Sequence, residues 1–324
     1  MEIDSTSGRE GDVITYAEQF LGRSGWHCTR IPVSEGRDVL YAASGDDPAI
    51  TLSTHLDTVP PFIPPRRDGG RLWGRGACDA KGIAASMICA AERLRSDGIG
   101  VGLLLVVGEE TTHDGAAAAN RVATRSRVLI NGEPTESTLA LGTKGALRVT
   151  LRTAGEAAHS AYPQLGRSAI SALVRLLSEI DDLRLPHDAL LGDTTVNIGR
   201  LAGGVADNVI APSAEARLMI RLVSDPDDLI ARLREWIGDR ATIEVGPVVP
   251  PVKLGTLPGF PTSVAAYATD IPKLANWGTP YLFGPGSIHV AHRDDEHVEE
   301  AELLRAVDTY RRIAMAAAAM LRSD

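Results

Sequence analysis

The chain has 324 residues, of which 44% are hydrophobic and 23% charged, and its formal net charge is -9. This length suits about two domains, and the composition is typical of a folded globular protein. No apolar run approaches the roughly 20 residues of a membrane-spanning helix. A net negative charge without a basic stripe argues against nucleic acid and against anionic membranes as partners.

The cysteines and the start of the chain bear on its compartment. Only Cys28, Cys78 and Cys89 are present, with no Cys-x-x-Cys pair, so neither a disulfide framework nor a thiolate zinc site is indicated. Residues 1–7 are acidic and polar, whereas a secretion signal is basic and then apolar. We therefore expect a cytoplasmic protein.

The first part of the chain alternates predicted helices and strands. Ser7 and Glu10 have the spacing of a helix capping box, and apolar residues then recur at helical intervals, which predicts a helix over residues 10–24. Asp79 sits just before a second helical pattern. Strands are predicted at 28–33, 38–43, 50–55, 101–107 and 127–130, and the second helix at 83–94.

Beyond residue 143 the pattern changes to alternating strands, at 147–153 and 214–223, with helical segments at 169–180 and 229–237. This pattern predicts a small α+β insert. A strand at 281–283 and a closing amphipathic helix follow. The predicted fold is α/β, with a mixed, largely parallel sheet flanked by helices. It forms a discontinuous domain of residues 1–143 and 252–324, into which residues 144–251 are inserted.

Three predicted strands each end at residues that can bind metal: His55, the pair Glu109-Glu110, and Glu133. Open α/β sheets gather their ligand sites at the carboxyl ends of their strands. Side chains two apart in an extended segment point the same way, so Asp57 is predicted to reach the ring nitrogen of His55 that is not on a metal. Alone, His-x-Asp more often marks a strand end where the two side chains satisfy nearby backbone groups.

Taken in order, these motifs resemble the co-catalytic dinuclear zinc hydrolases that include acetylornithine deacetylase, succinyl-diaminopimelate desuccinylase, the aminoacylases and glutamate carboxypeptidase. The resemblance covers nearly the whole chain. The motifs that carry it are Ser53–Asp57, Gly76–Gly82, Glu109-Glu110, Gly132-Glu133-Pro134, Ala157–Pro163, Asn208-Val209-Ile210 and Gly284 to His292. The resemblance implies two divalent ions per chain, most often Zn²⁺; Co²⁺ and Mn²⁺ also suit carboxylate and imidazole ligands.

The resemblance also implies the metal ligands. Asp79 would bridge the two ions, and the peptide bond after it would be cis. His55 and Glu133 would hold different ions, or the ligands would be divided in some other way, with Glu110 and His292 completing the two sets. His289 is an alternative to His292 as the last metal ligand. We prefer His292, because His292 lies just before an acidic stretch. The implied ligands are His55, Asp79, Glu110, Glu133 and His292.

Glu109 is predicted to be the proton carrier. Adjacent residues in an extended segment face opposite ways, so Glu110 can bind metal while Glu109 takes a proton from the attacking water and returns it to the leaving amine. His113 and His27 are interpreted as polar filling residues. A serine hydrolase built on His159-Ser160 is disfavoured, because no Gly-x-Ser-x-Gly accompanies them.

The resemblance further implies that His159 of the insert donates to the developing oxyanion and that Asn208 and Arg221 bind the substrate's carboxylate. Asp57 is expected to take part in catalysis, and Gly286 to let backbone approach the substrate. The insert would be a lid and dimerisation domain, and His159 would act in the partner of a homodimer.

The expected reaction is hydrolysis of the amide of an N-acyl amino acid or a short peptide with a free α-carboxylate. A dinuclear aminopeptidase or dipeptidase is the alternative, and a catalytically silent binding homologue is a third possibility. An aminopeptidase needs an acidic group to receive the substrate's ammonium, and the sequence does not identify one.

Overall fold

The computed structural model describes residues 1–46 and 48–321. The chain forms two compact units. Unit 1 contains Met1–Leu141, Lys253–Ala265 and the chain from Thr269 onward, and unit 2 contains Gly142–Val252 together with Ala266–Ala268.

Helices and strands are numbered along the chain. The helices are α1 (Gly11–Arg23), α2 (Lys81–Ser96), α3 (Asp114–Ala119), α4 (Ala169–Ser178), α5 (Pro226–Ile237) and α6 (Glu300–Met320). The strands are β1 (His27–Ser34), β2 (Arg37–Ala43), β3 (Ile50–His55), β4 (Arg66–Asp68), β5 (Arg71–Trp73), β6 (Gly102–Val106), β7 (Val128–Asn131), β8 (Leu139–Thr143), β9 (Gly145–Ala154), β10 (His187–Asp188), β11 (Gly192–Asp193), β12 (Thr195–Gly203), β13 (Ser213–Leu222), β14 (Thr242–Val249), β15 (Val252–Lys253), β16 (Thr262–Ala265), β17 (Thr279–Leu282) and β18 (His297–Glu299).

The main sheet of unit 1 has, among the described residues, the strand order β1-β2-β6-β3-β7-β17. Strands β6, β3, β7 and β17 run parallel to one another, while β2 is antiparallel to β6 and β1 to β2. The mixed, largely parallel sheet expected from the sequence is thus confirmed. The four parallel strands end at the same edge, where ligand sites of open α/β sheets form.

The central strands are buried because helices cover the sheet. Every residue of β3, β6 and β7 is buried, which explains why β6 reads as an uninterrupted apolar run. Helix α2 packs on β3, β6 and α6. Gly132, just beyond β7, leaves room for α2, since a Cβ there would lie 2.5 Å from methyl groups of both Ile83 and Met87.

The predicted capping box at the start of α1 is wrong. Glu10 occupies the N-cap position, but no side chain caps the helix. Instead, Glu10 is buried and pairs with Arg37 at 2.9 Å, and Ser7 donates a hydrogen bond to Asp57 at 2.8 Å. Long-range partners outcompete the local cap because they satisfy buried charged groups.

Unit 2 contains an antiparallel sheet of order β12-β13-β9-β14. Strands β9 and β13 alternate buried and more exposed residues, and helices α4 and α5 supply the leucines that pack on the buried face. Ser168 and Asp225 cap the two helices through their side chains. Within the described part of the chain, no helix is both long and apolar enough to span a membrane.

Candidate metal centre

The carboxyl edge of the main sheet collects six side chains from separate parts of unit 1. His55 is the last residue of β3, and the other side chains lie in the connections that follow β3, β6, β7 and β17. These residues are His55, Asp79, Glu109, Glu110, Glu133 and His292.

Asp79 lies between the two histidines. Its Oδ1 is 2.9 Å from His55 Nε2, and its Oδ2 is 3.2 Å from His292 Nε2. The peptide bond between Asp79 and Ala80 is cis, as the resemblance implied. One carboxylate therefore presents a different oxygen to each imidazole.

Glu133 and Glu110 extend this arrangement on either side. Glu133 Oε2 lies 3.8 Å from His55 Nε2, and Glu110 Oε1 lies 2.9 Å from His292 Nε2. The donors thus form two trios that share Asp79: His55 and Glu133 complete one, and His292 and Glu110 complete the other. We expected His55 and Glu133 on different ions, whereas their closeness favours a division that keeps them together. Ligand atoms of His55, Asp79 and Glu110 also lie within 4.8 Å of one another, so the two trios are adjacent.

The alternative histidine, His289, points elsewhere. Its ring is 84% exposed, and its nearest carboxylate is Glu136 at 3.8 Å. His292 has a left-handed backbone, with φ of 65°, and its ring reaches Asp79 and Glu110. The structure therefore brings His292, and not His289, to the carboxylates of Asp79 and Glu110.

The electrostatics of the six side chains at the sheet edge favour the binding of cations. Burial raises the pKa of Glu133 and of Glu109 well above their usual range, and nearby carboxylates raise both further. Hydrogen bonds to Asp79 and Glu110 raise the pKa of His292 to about 10. Buried carboxylates, with one buried and one half-exposed imidazole at these separations, have the oxygen and nitrogen donors that divalent transition metals accept. The donor set therefore fits metal ions.

Glu109 and Glu110 do not lie in the extended segment that the sequence argument assumed. Strand β6 ends at Val106, and the amides of Thr112 and His113 donate to the carbonyl of Gly108, which makes a turn. The two side chains still diverge: Glu110 bonds His292, whereas Glu109 Oε1 lies 3.7 Å from His113. The turn, and not strand alternation, separates them.

Asp57 anchors this turn. Its carboxylate accepts the amide N–H groups of Glu109 and Glu110 at 3.1 and 3.2 Å, together with the hydroxyl of Ser7. The sequence assigned this carboxylate to the His55 ring, but the closest partner of His55 Nδ1 is the Asp57 carbonyl oxygen at 3.0 Å, and Asp57 Oδ1 lies 3.5 Å away. Burial acts to raise the pKa of Asp57, but the histidine and the donated bonds hold it below its usual value.

Sequence reasoning missed a second histidine-carboxylate pair beside Glu109. His113 Nδ1 lies 2.8 Å from Asp270 Oδ1, and Asp270 is buried. The Glu-x-x-x-His spacing from Glu109 to His113 was an available signal, since four residues span about one helical turn. Asp270 had no local signal, because it lies 157 residues away in the chain.

The predicted residues of unit 2 do not all meet. His159 is exposed, and its segment pairs with Val209, beside Asn208. The amide of Ser160 donates to the Asn208 carbonyl at 2.9 Å. Arg221 lies near the opposite end of β13, paired with Ala146. The structure therefore places His159 and Asn208 together and Arg221 apart from them.

Gly286 lies in the loop after β17 with φ of 84°. Its amide donates to Glu302 Oε1 at 2.9 Å, and Ser137 donates to the same oxygen at 2.7 Å. The amide is therefore engaged within unit 1.

Comparisons with known proteins agree with this fold, and they define the class of protein as a metallohydrolase. The family model described as "Peptidase dimerisation domain" matches residues 141–243. A peptidase M20 domain-containing protein of Schizosaccharomyces pombe is 39% identical over 97% of this chain and 82% of its own. A probable carboxypeptidase of Aspergillus fumigatus is 36% identical over 98% and 84%. The crystal structure of an M20 family metallo-carboxypeptidase of Sulfolobus solfataricus has the same fold, with a TM-score of 0.79, 17% identity, and coverage of 97% and 96%.

The chain belongs to the M20 peptidase family. It is a metallohydrolase that acts on peptide amide bonds.

We expect Asp57→Asn to loosen the turn that carries Glu109 and Glu110. An amide keeps one acceptor oxygen but loses the charge, and its NH₂ group opposes donors, so the free energy of unfolding should fall by about 1.5–3 kcal/mol. Urea denaturation of metal-free protein measures this without interference from metal loss. Ser7→Ala, which removes one hydroxyl bond to the same carboxylate, is the control. Equal effects of the two variants would contradict the anchoring role.

Proposed function

We propose that the protein is a dinuclear metal exopeptidase or deacylase that cleaves the amide of an N-acyl amino acid or short peptide with a free α-carboxylate. The observation that carries this proposal is the pair of donor trios sharing Asp79, with Glu109 beside them. Relatives named probable carboxypeptidase support a substrate with a free carboxylate. Hydrolysis of an N-acetyl or N-succinyl amino acid would be the same reaction at the same bond.

The proposed ligands of one ion are His55, Asp79 and Glu133, and those of the other are Asp79, Glu110 and His292. Neutral imidazoles and carboxylates suit Zn²⁺, and they also accept Co²⁺ or Mn²⁺. When bound, a pair of such ions polarises the scissile carbonyl and lowers the pKa of the attacking water.

Glu109 is the proposed proton carrier. Its carboxylate accepts a proton from the attacking water and delivers it to the nitrogen of the leaving amine. Burial supports this role, because it raises the pKa of Glu109 well above its usual value and so favours uptake of a proton. Asp57 keeps the turn in place during both transfers.

Residues of unit 2 are proposed to bind the substrate. The His159 ring donates to the oxyanion, and Asn208 and Arg221 bind the α-carboxylate, for which a guanidinium fork is well shaped. The eight steps along β13 from Ser213, near the His159 end, to Arg221 span about 26 Å at 3.3 Å per residue. One small substrate cannot contact both ends of this sheet within one chain. If all three residues act, they must come from two chains.

A homodimer through unit 2 would supply the second chain. Among the described residues, β12 has a sheet neighbour on one side only, and such an edge readily pairs with a second copy. Apolar side chains are exposed on β12, on α4 and just beyond β12, and Ile170 of α4 lies close to Gly204. These exposed side chains are Ile170, Val174, Ile198, Leu201 and Val205.

A matched set of peptides tests the substrate class. We expect hydrolysis of dipeptides, N-acetyl dipeptides and N-acyl amino acids, and loss of at least ~10² in kcat/KM when the C-terminal carboxylate is amidated, because the buried or bidentate carboxylate contact is lost. Activity that tolerates C-terminal amidation but requires a free amine would instead identify an aminopeptidase.

Two adjacent substitutions test the division of roles between Glu109 and Glu110. We expect Glu109→Gln to retain two metal ions per chain, as in the unaltered protein, and to lose at least ~10² in kcat. Glu110→Gln should retain fewer ions, because it removes a ligand charge. Elemental analysis after dialysis measures the ions, and steady-state kinetics measure kcat. The reverse pattern would exchange the two roles.

Mixing two inactive variants tests whether His159 acts in the partner chain. In a mixed dimer of Glu109→Ala and His159→Ala chains, one site combines an intact Glu109 with the partner's intact His159, so activity should return after subunit exchange. If His159 acted within its own chain, no site of the mixed dimer would be intact. A mixture that stays inactive after exchange is verified by mass labelling would rule out action in trans.

A further inference from the structure

A buried ion pair lies behind the loop that delivers Asp79. Arg75 and Glu296 have side chains that are 1% and 0% exposed, and Arg75 Nη1 donates to Glu296 Oε2 at 2.6 Å. Burying two charges is costly unless further hydrogen bonds satisfy them. The remaining contacts of this pair therefore indicate what it holds.

The other oxygen of Glu296 accepts three backbone amides. The N–H groups of Gly76, Cys78 and Asp79 lie 2.9, 3.1 and 3.1 Å from Glu296 Oε1. Gly76 adopts φ of 84°, a left-handed conformation that glycine tolerates and that helps turn successive amides towards one anion. The Glu296 carbonyl oxygen also accepts the amide of Gly74 at 3.0 Å.

The same segment carries His292, four residues before Glu296. His292 Nε2 lies 3.2 Å from Asp79 Oδ2, while Glu296 binds the Asp79 amide. Arg75 joins the two ends, since it also donates to the carbonyl oxygen of Arg293 at 3.2 Å. Asp79 is thus held at its carboxylate and at its backbone by one short stretch of chain.

We propose that Glu296 is a positioning residue for the shared ligand Asp79, and that Arg75 holds the Glu296 carboxylate in its orientation. This inference rests on the proposed dinuclear centre and adds a residue that does not itself face the ions. Because Asp79 belongs to both donor trios, displacement of its loop should weaken the binding of both ions. Loss of His292 should weaken chiefly the binding of the ion that His292 would hold.

Metal affinity distinguishes positioning from plain stabilisation. Competition with a chromophoric chelator, using Zn²⁺, gives the dissociation constants. We expect Glu296→Gln to raise both constants 10–100-fold, the usual cost of losing a residue that orients a ligand, and His292→Ala to raise one much more than the other. Activity of Glu296→Gln should be low at limiting Zn²⁺ and recover in excess, with KM little changed.

The matched control is Glu10→Gln. Glu10 is also a fully buried carboxylate paired with an arginine, Arg37, and within the described part of the chain its side-chain hydrogen bonds go to Arg37 and not to the Asp79 loop. This variant should lower the melting temperature without changing either dissociation constant. If Glu296→Gln behaves in the same way, with only its melting temperature lowered, the positioning role is overturned and the dinuclear centre stands. If the unaltered protein binds no Zn²⁺, the proposed function itself fails.

A second variant covers the case in which Glu296→Gln does not fold. Arg75→Met/Glu296→Gln removes both charges of the pair together, so that no buried charge is left without a partner, and the three amides keep only a neutral amide oxygen as acceptor. Weaker binding of both ions by this folded variant supports the proposal. Unchanged binding of both ions contradicts it.

Discussion

The organisation of unit 1 depends on Asp79, whose two carboxylate oxygens face two different histidines. His55 comes from β3, early in the chain, and His292 follows β17, after the chain has passed through unit 2. The returning chain therefore has to add β17 to the same sheet, parallel to β7, before the second histidine can reach Asp79. The addition of β17 to the sheet therefore also brings His292 to Asp79 and completes the donor trios.

The two donor trios concentrate negative charge in a buried place, and the surrounding structure limits how far their side chains can move apart. Two further carboxylates, Asp57 and Glu296, lie behind the trios and accept hydrogen bonds from backbone amides. Asp57 fixes the turn that carries Glu109 and Glu110, and Glu296 fixes the loop that carries Asp79. A carboxylate that accepts several N–H bonds holds its loop rigidly, because each of these hydrogen bonds is strengthened by the charge. Both loops thus keep their shape without relying on the donors themselves.

The sequence predicted those features whose signal is local or periodic. Apolar strands that each end in His55, Glu109-Glu110 or Glu133 predicted both the sheet and the edge where these residues meet, because parallel strands have a common carboxyl edge. The capping box failed because Ser7 and Glu10 have long-range partners, Asp57 and Arg37, and strand alternation failed at Glu109 because the strand ends three residues earlier. Asp270 and Glu296 depend on contacts made only in the folded chain.

In unit 2, the residues predicted to bind the substrate lie at opposite ends of one sheet. Asn208 lies in the β12–β13 connection, and His159 lies beside it in the segment that follows β9, whereas Arg221 lies at the far end of β13. A stiff antiparallel sheet cannot bend to bring its ends onto one small molecule, so the three residues can serve a single substrate only if two copies of the sheet are present. Pairing of β12 with its counterpart in a second chain would meet this need, and it would also cover the edge and the apolar side chains beside it.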